Sequence, residues 1–358
     1  MLHRKQYRVA AGVTIMALAL TLTACGTQGN TGSTESVKSA ETVENTETVE
    51  SIETMENTET VESIETMEST ETIENVEIIE AMVSESAAPQ ETANVTPQMQ
   101  PVEYTDLQQI TLDPNWEYAD HSKINTGAAV LYPAQEESGR KGIVIGVNAG
   151  HGTAGGAKVK TLCHPDGSAK VTGGSTAAGA TEAAAVSGGM TFQDGTPERE
   201  VTLRMAQILR DKLLTSGYDV LMLRDSEDVQ LDNVARTVIC NNVADCHIAL
   251  HWDSGDGKNY DKGCFYISVP EALKTMEPVA SHWQQHDTLG TDLVEGLREQ
   301  GAMIYGKGNM SIDLTQTSYS TIPSVDMELG NAYSDHSDEV LEQLATGLLA
   351  GINTYFEQ

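Results

Sequence analysis

KGIVIGVNAGHG, residues 141–152, is the stretch from which the fold of this 358-residue chain can be predicted. Residues 141–148 form an apolar run rich in β-branched side chains, without the polar alternation that marks a half-exposed strand. Such a run is typical of a strand buried on both faces, in a sheet that lies between two layers of helices. The chain then turns at AGHG, which places His151 at the end of a predicted buried strand.

Helices and strands are predicted to alternate along the rest of this region. An amphipathic helix is expected from Glu198 to Gly217, because its apolar residues recur near the helical period, and a second helix over 229–243 carries Arg236 and Asn241. Apolar runs predict further strands over residues 218–224, 246–251, 263–269 and 322–329. This order indicates an α/β layered fold with functional loops at strand ends, in a single domain over residues 101–358.

Residues 153–195 fit none of these elements. They are rich in glycine, alanine, threonine and serine, and they separate His151 from Glu198. A loop of this length inside a compact domain is usually a lid, a binding loop or a disordered segment. We predict a flexible insertion that forms a flap over the site.

Four side chains that can bind a metal ion or move a proton lie at the element boundaries. His151 follows the central strand, Glu198 opens the first helix, His251 ends the third strand, and Glu328 lies near the end of the last. Alone, each imidazole is more often a structural histidine, and Glu198 would be a first-turn helix acid. Together, two imidazoles and a carboxylate are the ligands of a hydrolytic Zn²⁺ site with an open position for water. Glu328 would carry the protons, so the set predicts amide hydrolysis.

The first 25 residues have the layout of a secretory signal. A basic run precedes the apolar segment 9–22, whose fourteen residues are fewer than the roughly 20 that a membrane span needs. Residues 22–25, LTAC, then resemble the lipobox of bacterial lipoproteins, in which the cysteine is lipidated. We predict an exported lipoprotein, anchored through Cys25 to the outer face of the cytoplasmic membrane or in the cell envelope. The alternative is a signal peptide with a chance cysteine.

Residues 26–100 carry seventeen glutamates, one lysine and no aspartate, a net charge of −16. A twelve-residue repeat, TETVESIETMEN, begins at Thr46, and glutamate occupies every third position from 41 to 80. This period spreads apolar residues around a helix and breaks the alternation of a strand, so the segment has no apolar face to bury. We predict a disordered acidic spacer that stays extended, rather than a binding repeat.

Residues 101–358 carry a net charge of −19. A surface this acidic argues against nucleic acid as a ligand. The cysteines of this part lack the Cys-x-x-Cys spacing of thiolate metal sites. In an exported protein they are expected to form structural disulfides, in any of three pairings, or to remain buried free thiols; they are Cys163, Cys240, Cys246 and Cys264.

The motifs, in this order, resemble the zinc-dependent N-acetylmuramoyl-L-alanine amidases of bacterial cell walls, of the amidase 3 type. Their Asp-x-Gly-His-Gly motif is met by residues 148–152, NAGHG, and their Glu-Lys-x-x-x-Leu motif by residues 198–203, EREVTL. Residues 249–253, ALHWD, correspond to Ser-Ile-His-Ala-Asn, and residues 323–330, PSVDMELG, to Pro-x-x-Leu-x-Glu-x-Gly. The resemblance extends from about residue 142 to the C-terminus.

This resemblance implies roles for the four side chains. His151, Glu198 and His251 would bind zinc, and Glu328 would be the catalytic acid and base; Glu200 is a rival to Glu198, which the register of the motif favours. The bond cleaved would join N-acetylmuramic acid to L-alanine in peptidoglycan, and the fold would be a twisted mixed β-sheet flanked by helices. An exported, membrane-anchored protein is consistent with a peptidoglycan substrate.

Several positions depart from the family pattern. Asn148 replaces an aspartate, Asp253 an asparagine, and Asp326 an apolar residue. None of these changes removes a ligand. Together with the insertion, they leave open which stem peptide the enzyme prefers and whether an activator protein regulates it. Two other functions stay open, a non-catalytic zinc-containing lipoprotein that binds peptidoglycan and a zinc peptidase acting on the stem peptide. Glu328 favours an enzyme, because a binding protein does not need this carboxylate.

Overall fold

The apolar run after Lys141 forms strand β3, Val144–Ala149, at the centre of an eight-stranded sheet. The structure is a computed structural model that describes residues 104–135, 138–255 and 257–357. These residues belong to one compact unit, Ala93–Gln358. The predicted signal peptide, Cys25 and the acidic spacer lie outside the described residues, so those predictions stay untested.

Strands and helices alternate through most of the described region. The strands are β1 Gln108–Ile110, β2 Ala129–Tyr132, β3 Val144–Ala149, β4 Lys160–Leu162, β5 Glu182–Ala184, β6 Asp219–Met222, β7 Cys246–Asp253, β8 Cys264–Ser268, β9 Ile304–Ser311 and β10 Ser324–Asn331. The α-helices are α1 Glu198–Thr215, α2 Asn233–Val243, α3 Val279–Glu299, α4 Thr315–Tyr319 and α5 Asp338–Phe356.

The large sheet has the strand order β1-β2-β6-β3-β7-β10-β8-β9. Its four central strands, β6, β3, β7 and β10, run parallel to their neighbours within this group. Strands β2 and β8 pair with the central group in the antiparallel direction. The prediction of a mixed β-sheet flanked by helices in one domain is therefore confirmed.

Alternating side chains of β10 and β7 place apolar residues on one face of the sheet and the candidate site residues on the other. In β10, Val325, Met327 and Leu329 enter the larger core, to which α1, α3 and α5 also contribute. Asp326 and Glu328, between them in sequence, therefore point to the opposite face, the side covered by α2 and α4. The same alternation in β7 places His251 on that face.

Helices α3 and α5 were not predicted, and their glycines give the reason. Glycine lowers helix propensity by about 1 kcal/mol relative to alanine. Here the glycines lie where the two helices cross: a Cβ on Gly296 would be 2.2 Å from the carbonyl oxygen of Gly347, and one on Gly351 would be 2.5 Å from that of Asp292. Close packing between the helices therefore requires residues that disfavour a helix locally.

The four cysteines after residue 100 are buried free thiols, which is the second of the two alternatives that the sequence left open. Burial raises the pKa of Cys264 to about 12, which keeps this thiol protonated and unreactive at neutral pH. In the part of the chain that the structure describes, no helix combines the length and apolar character needed to cross a bilayer.

Candidate metal centre

The predicted site residues meet at the carboxyl edge of the parallel strands. His151 follows β3 after Gly150, and His251 lies near the end of the neighbouring strand β7. Glu328 on β10 pairs in register with His251. Glu198 is the first residue of α1, whose start reaches the same edge. Ligands commonly bind at this edge of an open α/β sheet.

Three of these side chains converge on one point. Nε2 of His151 lies 2.9 Å from Oε1 of Glu198 and 3.0 Å from Nδ1 of His251, and the same Oε1 lies 3.1 Å from Nδ1 of His251. All three donor atoms lie within 4.8 Å of one another. His151 and Glu198 are buried, and His251 is partly exposed.

The orientation of His151 is fixed by its backbone and by the insertion. Its φ of +66° lies in the left-handed region, which costs energy for a residue with a side chain and is often found at functional sites. Nδ1 donates to the carbonyl oxygen of Ser187 at 3.0 Å, so Nε2 is left as the acceptor that faces the cluster. A Cβ on Gly189 would be 2.8 Å from the His151 ring, so glycine is required there.

Glu198 is held by two backbone N–H groups. Met190 N donates to Oε2 at 2.8 Å and Trp252 N donates to Oε1 at 3.0 Å. Burial raises the pKa of Glu198, but the interactions with His151 and His251 outweigh it and leave the pKa lowered. Glu200 is exposed and lies 3.6 Å from Arg199, so Glu198 is the acid in the cluster.

Two buried arginines hold the loop that carries His151. Arg236 of α2 donates to the carbonyl oxygens of Ala149 and His151 and to Oδ1 of Asn148, and Arg224 donates to the carbonyl oxygens of Ala149 and Gly150. Burial lowers the pKa of Arg236 to about 9 and that of Arg224 to about 10. Asn148, where the family has aspartate, therefore gives Arg236 a neutral partner.

Two carboxyl groups of β10 border the cluster. Oδ1 of Asp326 and Oε2 of Glu328 are buried and have no hydrogen-bond partner among the described residues. Burial raises the pKa of both groups, and the nearby Asp326 charge raises that of Glu328 further. Burial alone lowers the pKa of His251, yet Asp326 and Glu198 raise it to about 10. The cluster thus strongly favours positive charge, supplied by a proton or, in its place, a metal ion.

The donor set fits zinc. An Nε2, an Nδ1 and a carboxylate oxygen are the kinds of ligand that hydrolytic zinc sites use, with a fourth position left open. Nδ1 of His151 is hydrogen-bonded to the carbonyl oxygen of Ser187, and both carboxylate oxygens of Glu198 accept from backbone N–H groups. Metal-binding side chains are commonly oriented by hydrogen bonds of this kind. Sequence reasoning missed Ser187, because a backbone carbonyl has no sequence signal.

Residues 145–352 match the family described as N-acetylmuramoyl-L-alanine amidase. The chain belongs to this family. It is therefore an amidase, and the enzyme class predicted from the motifs is confirmed. No curated protein sequence matches the amidase significantly.

Solved structures of other amidases are similar to this chain. The N-acetylmuramyl-L-alanine amidase Ami1 from Mycobacterium smegmatis is 17% identical with a TM-score of 0.50, covering 60% of this chain and 97% of its own. The apo form of Ami1 from Mycobacterium abscessus is 20% identical with a TM-score of 0.48, covering 60% of this chain and 99% of its own. At these identities the similarity to the first structure supports the fold alone.

Proposed function

We propose that this amidase hydrolyses the amide bond between N-acetylmuramic acid and L-alanine in peptidoglycan, with zinc bound by His151, Glu198 and His251. The convergence of these three donor atoms within 4.8 Å, at the sheet edge where Glu328 of β10 pairs with His251, is the observation that supports this proposal. When bound, zinc would supply Lewis-acid activation of water and of the amide carbonyl.

Glu328 would move the proton in this reaction. Its carboxyl group lies on the strand next to His251, and its pKa is raised by burial and by Asp326, which makes it a better base than an exposed carboxylate. It would accept the proton of the attacking water and donate it to the amine of L-alanine as the C–N bond breaks. The positive charge of His251 opposes these effects and favours the ionised form of Glu328 that begins this cycle.

We also propose that the enzyme works at the bacterial cell surface. The LTAC motif supports lipidation of Cys25, and the acidic segment after it would keep the catalytic domain away from the membrane. Peptidoglycan lies within reach of such an anchored enzyme.

The test uses the purified full chain with purified peptidoglycan. We expect about one zinc per chain and the release of new L-alanine amino termini by the wild type. Glu328→Ala should bind zinc but release none, and Glu200→Ala is the matched control that keeps both properties. Equal release by Glu328→Ala would remove Glu328 from the mechanism. Zinc binding without any release by the wild type would favour a binding protein, and new termini elsewhere in the stem would favour a peptidase.

A further inference from the structure

The insertion 153–195 is attached to the domain at several points. It contains the antiparallel strand pair β4 and β5. At one end, Asn233 N of α2 donates to the carbonyl oxygen of Ala185 at 3.1 Å. At the other, the carboxylate of Asp313 accepts from His164 Nε2 at 2.9 Å and from Val171 N at 2.8 Å. Through these contacts the insertion, which the sequence predicted to be a flexible flap, forms a wall beside the metal centre.

A cleft of about 170 Å³ lies between this wall and the metal centre. Gly150, His251 and Asp326 line it on the side of the sheet, and Ser187 lines it where the insertion contacts His151. A substrate whose amide bond reaches the metal ligands would therefore also contact the insertion.

Cationic groups outnumber anionic ones in this cleft. Lys160, Lys170 and Arg236 line it, whereas Asp326 is its one carboxylate among the described residues. Lys170 lies 3.8 Å from Asp313, and Arg236 uses its N–H groups on the His151 loop. Lys160, an exposed residue of β4, forms no ion pair with any described residue, so its charge is available to a ligand.

The positive charge of the cleft contrasts with the acidic surface of the rest of the domain. Residues 101–358 carry a net charge of −19, so an anionic substrate is repelled by most of the surface. A carboxylate placed in the cleft would meet an ammonium group in a partly enclosed space, where a charge-assisted hydrogen bond is stronger than in water.

We propose that Lys160 binds a carboxylate of the stem peptide, on the peptide side of the cleaved bond. This inference rests on the proposed function. In peptidoglycan the L-alanine is followed by a glutamyl residue whose α-carboxyl group is either free or a primary amide. Lys160 thus makes the amidase selective for the free acid, and the insertion is the part of the chain that determines this specificity.

The test compares N-acetylmuramoyl-L-alanyl-D-glutamate with its D-isoglutamine counterpart, which differs only by the amide, on the zinc-loaded full chain. We expect kcat/KM of the wild type to be about tenfold higher for the acid. Lys160→Met should lose this preference because its kcat/KM falls for the acid alone, and Lys160→Arg should retain the preference. Lys158→Met is the matched control, because Lys158 is an exposed lysine of the same insertion that does not line the cleft.

Equal cleavage of both compounds by the wild type would overturn the proposal. An equal decrease in kcat/KM for both compounds in Lys160→Met would also overturn it. The equilibrium dissociation constants of the two compounds are measured in parallel. If neither compound is cleaved, the proposed function fails, whereas a tighter binding of the acid that disappears in Lys160→Met would still support the carboxylate site. No difference in binding would then reject it.

Discussion

Nε2 of His251 lies 3.8 Å from Oδ2 of Asp326 on the adjacent parallel strand. The other ring nitrogen, Nδ1, faces His151 and Glu198. A histidine that binds a metal through Nδ1 keeps its proton on Nε2, and a nearby carboxylate fixes this tautomer. Asp326 therefore lies where it can orient His251.

We expect Asp326→Asn to lower zinc affinity about 10- to 100-fold, because the amide holds the Nε2 proton less strongly than a carboxylate. Competition with a chelator measures this affinity without depending on catalysis. Asp245→Asn is the control, since Asp245 directly precedes β7 and its carboxylate, among the described residues, accepts a hydrogen bond from the backbone N–H of Val144. Unchanged affinity in Asp326→Asn would mean that the carboxylate does not position the ring.

Two adjacent glycines, Gly188 and Gly189, differ in how much space surrounds them beside the ligand cluster. A Cβ on Gly189 would be 2.8 Å from the His151 ring and 2.9 Å from Oε2 of Glu198, and its φ is +80°. A Cβ on Gly188 meets nothing within 4 Å. We therefore expect Gly189→Ala to reduce metal content and to lower the melting temperature, while Gly188→Ala changes neither. Metal analysis and thermal unfolding test both variants, and similar behaviour of the two would contradict the steric argument.

Asp313 should control the order of the insertion. It is fully buried and accepts from His164, and Lys170 donates to its carbonyl oxygen. Removing one partner of a buried ionic network costs about 3–5 kcal/mol. We expect Asp313→Ala to increase amide hydrogen exchange in residues 160–185 while the central strands stay protected. Asp166→Ala, an exposed carboxylate in the same insertion, is the control. Unchanged exchange in Asp313→Ala would show that other contacts hold the insertion.

His286 should make stability depend on pH. Burial, and then the positive charge of His282, lower its pKa from 6.5 to about 3. Between these values the unfolded chain binds more protons, so the free energy of unfolding falls as the pH falls through this window. His286 lowers the free energy of unfolding by about 1.4 kcal/mol for each pH unit below pH 6 within this window.

His286→Asn keeps an acceptor for the backbone N–H of Ser324 but cannot titrate. Its free energy of unfolding should therefore decrease less between pH 6 and pH 5 than that of the wild type. Urea unfolding of the metal-free full chain measures both. Parallel decreases would exclude His286 as a source of the pH dependence.

The sequence predicted the centre of the fold because burial on both faces leaves a local pattern. The run before Asn148 became β3, and the periodic segment after Pro197 became α1 within two residues of its predicted end. The convergence of His151, Glu198 and His251 could be predicted because strand ends of a parallel sheet meet at one edge. By contrast, the contact between Asp313 and His164 joins distant segments, and β1 and β4 are three residues long, so neither leaves a local pattern.

The hydrogen bonds from Arg224 and Arg236 to the His151 loop have a consequence for assembly. They shape the backbone around the first ligand with protein atoms alone. Small zinc domains, in contrast, depend on the ion for most of their folding free energy. The tertiary structure of this enzyme should thus form without the ion, and a metal ion bound by His151, Glu198 and His251 would be taken up by a site that is already shaped.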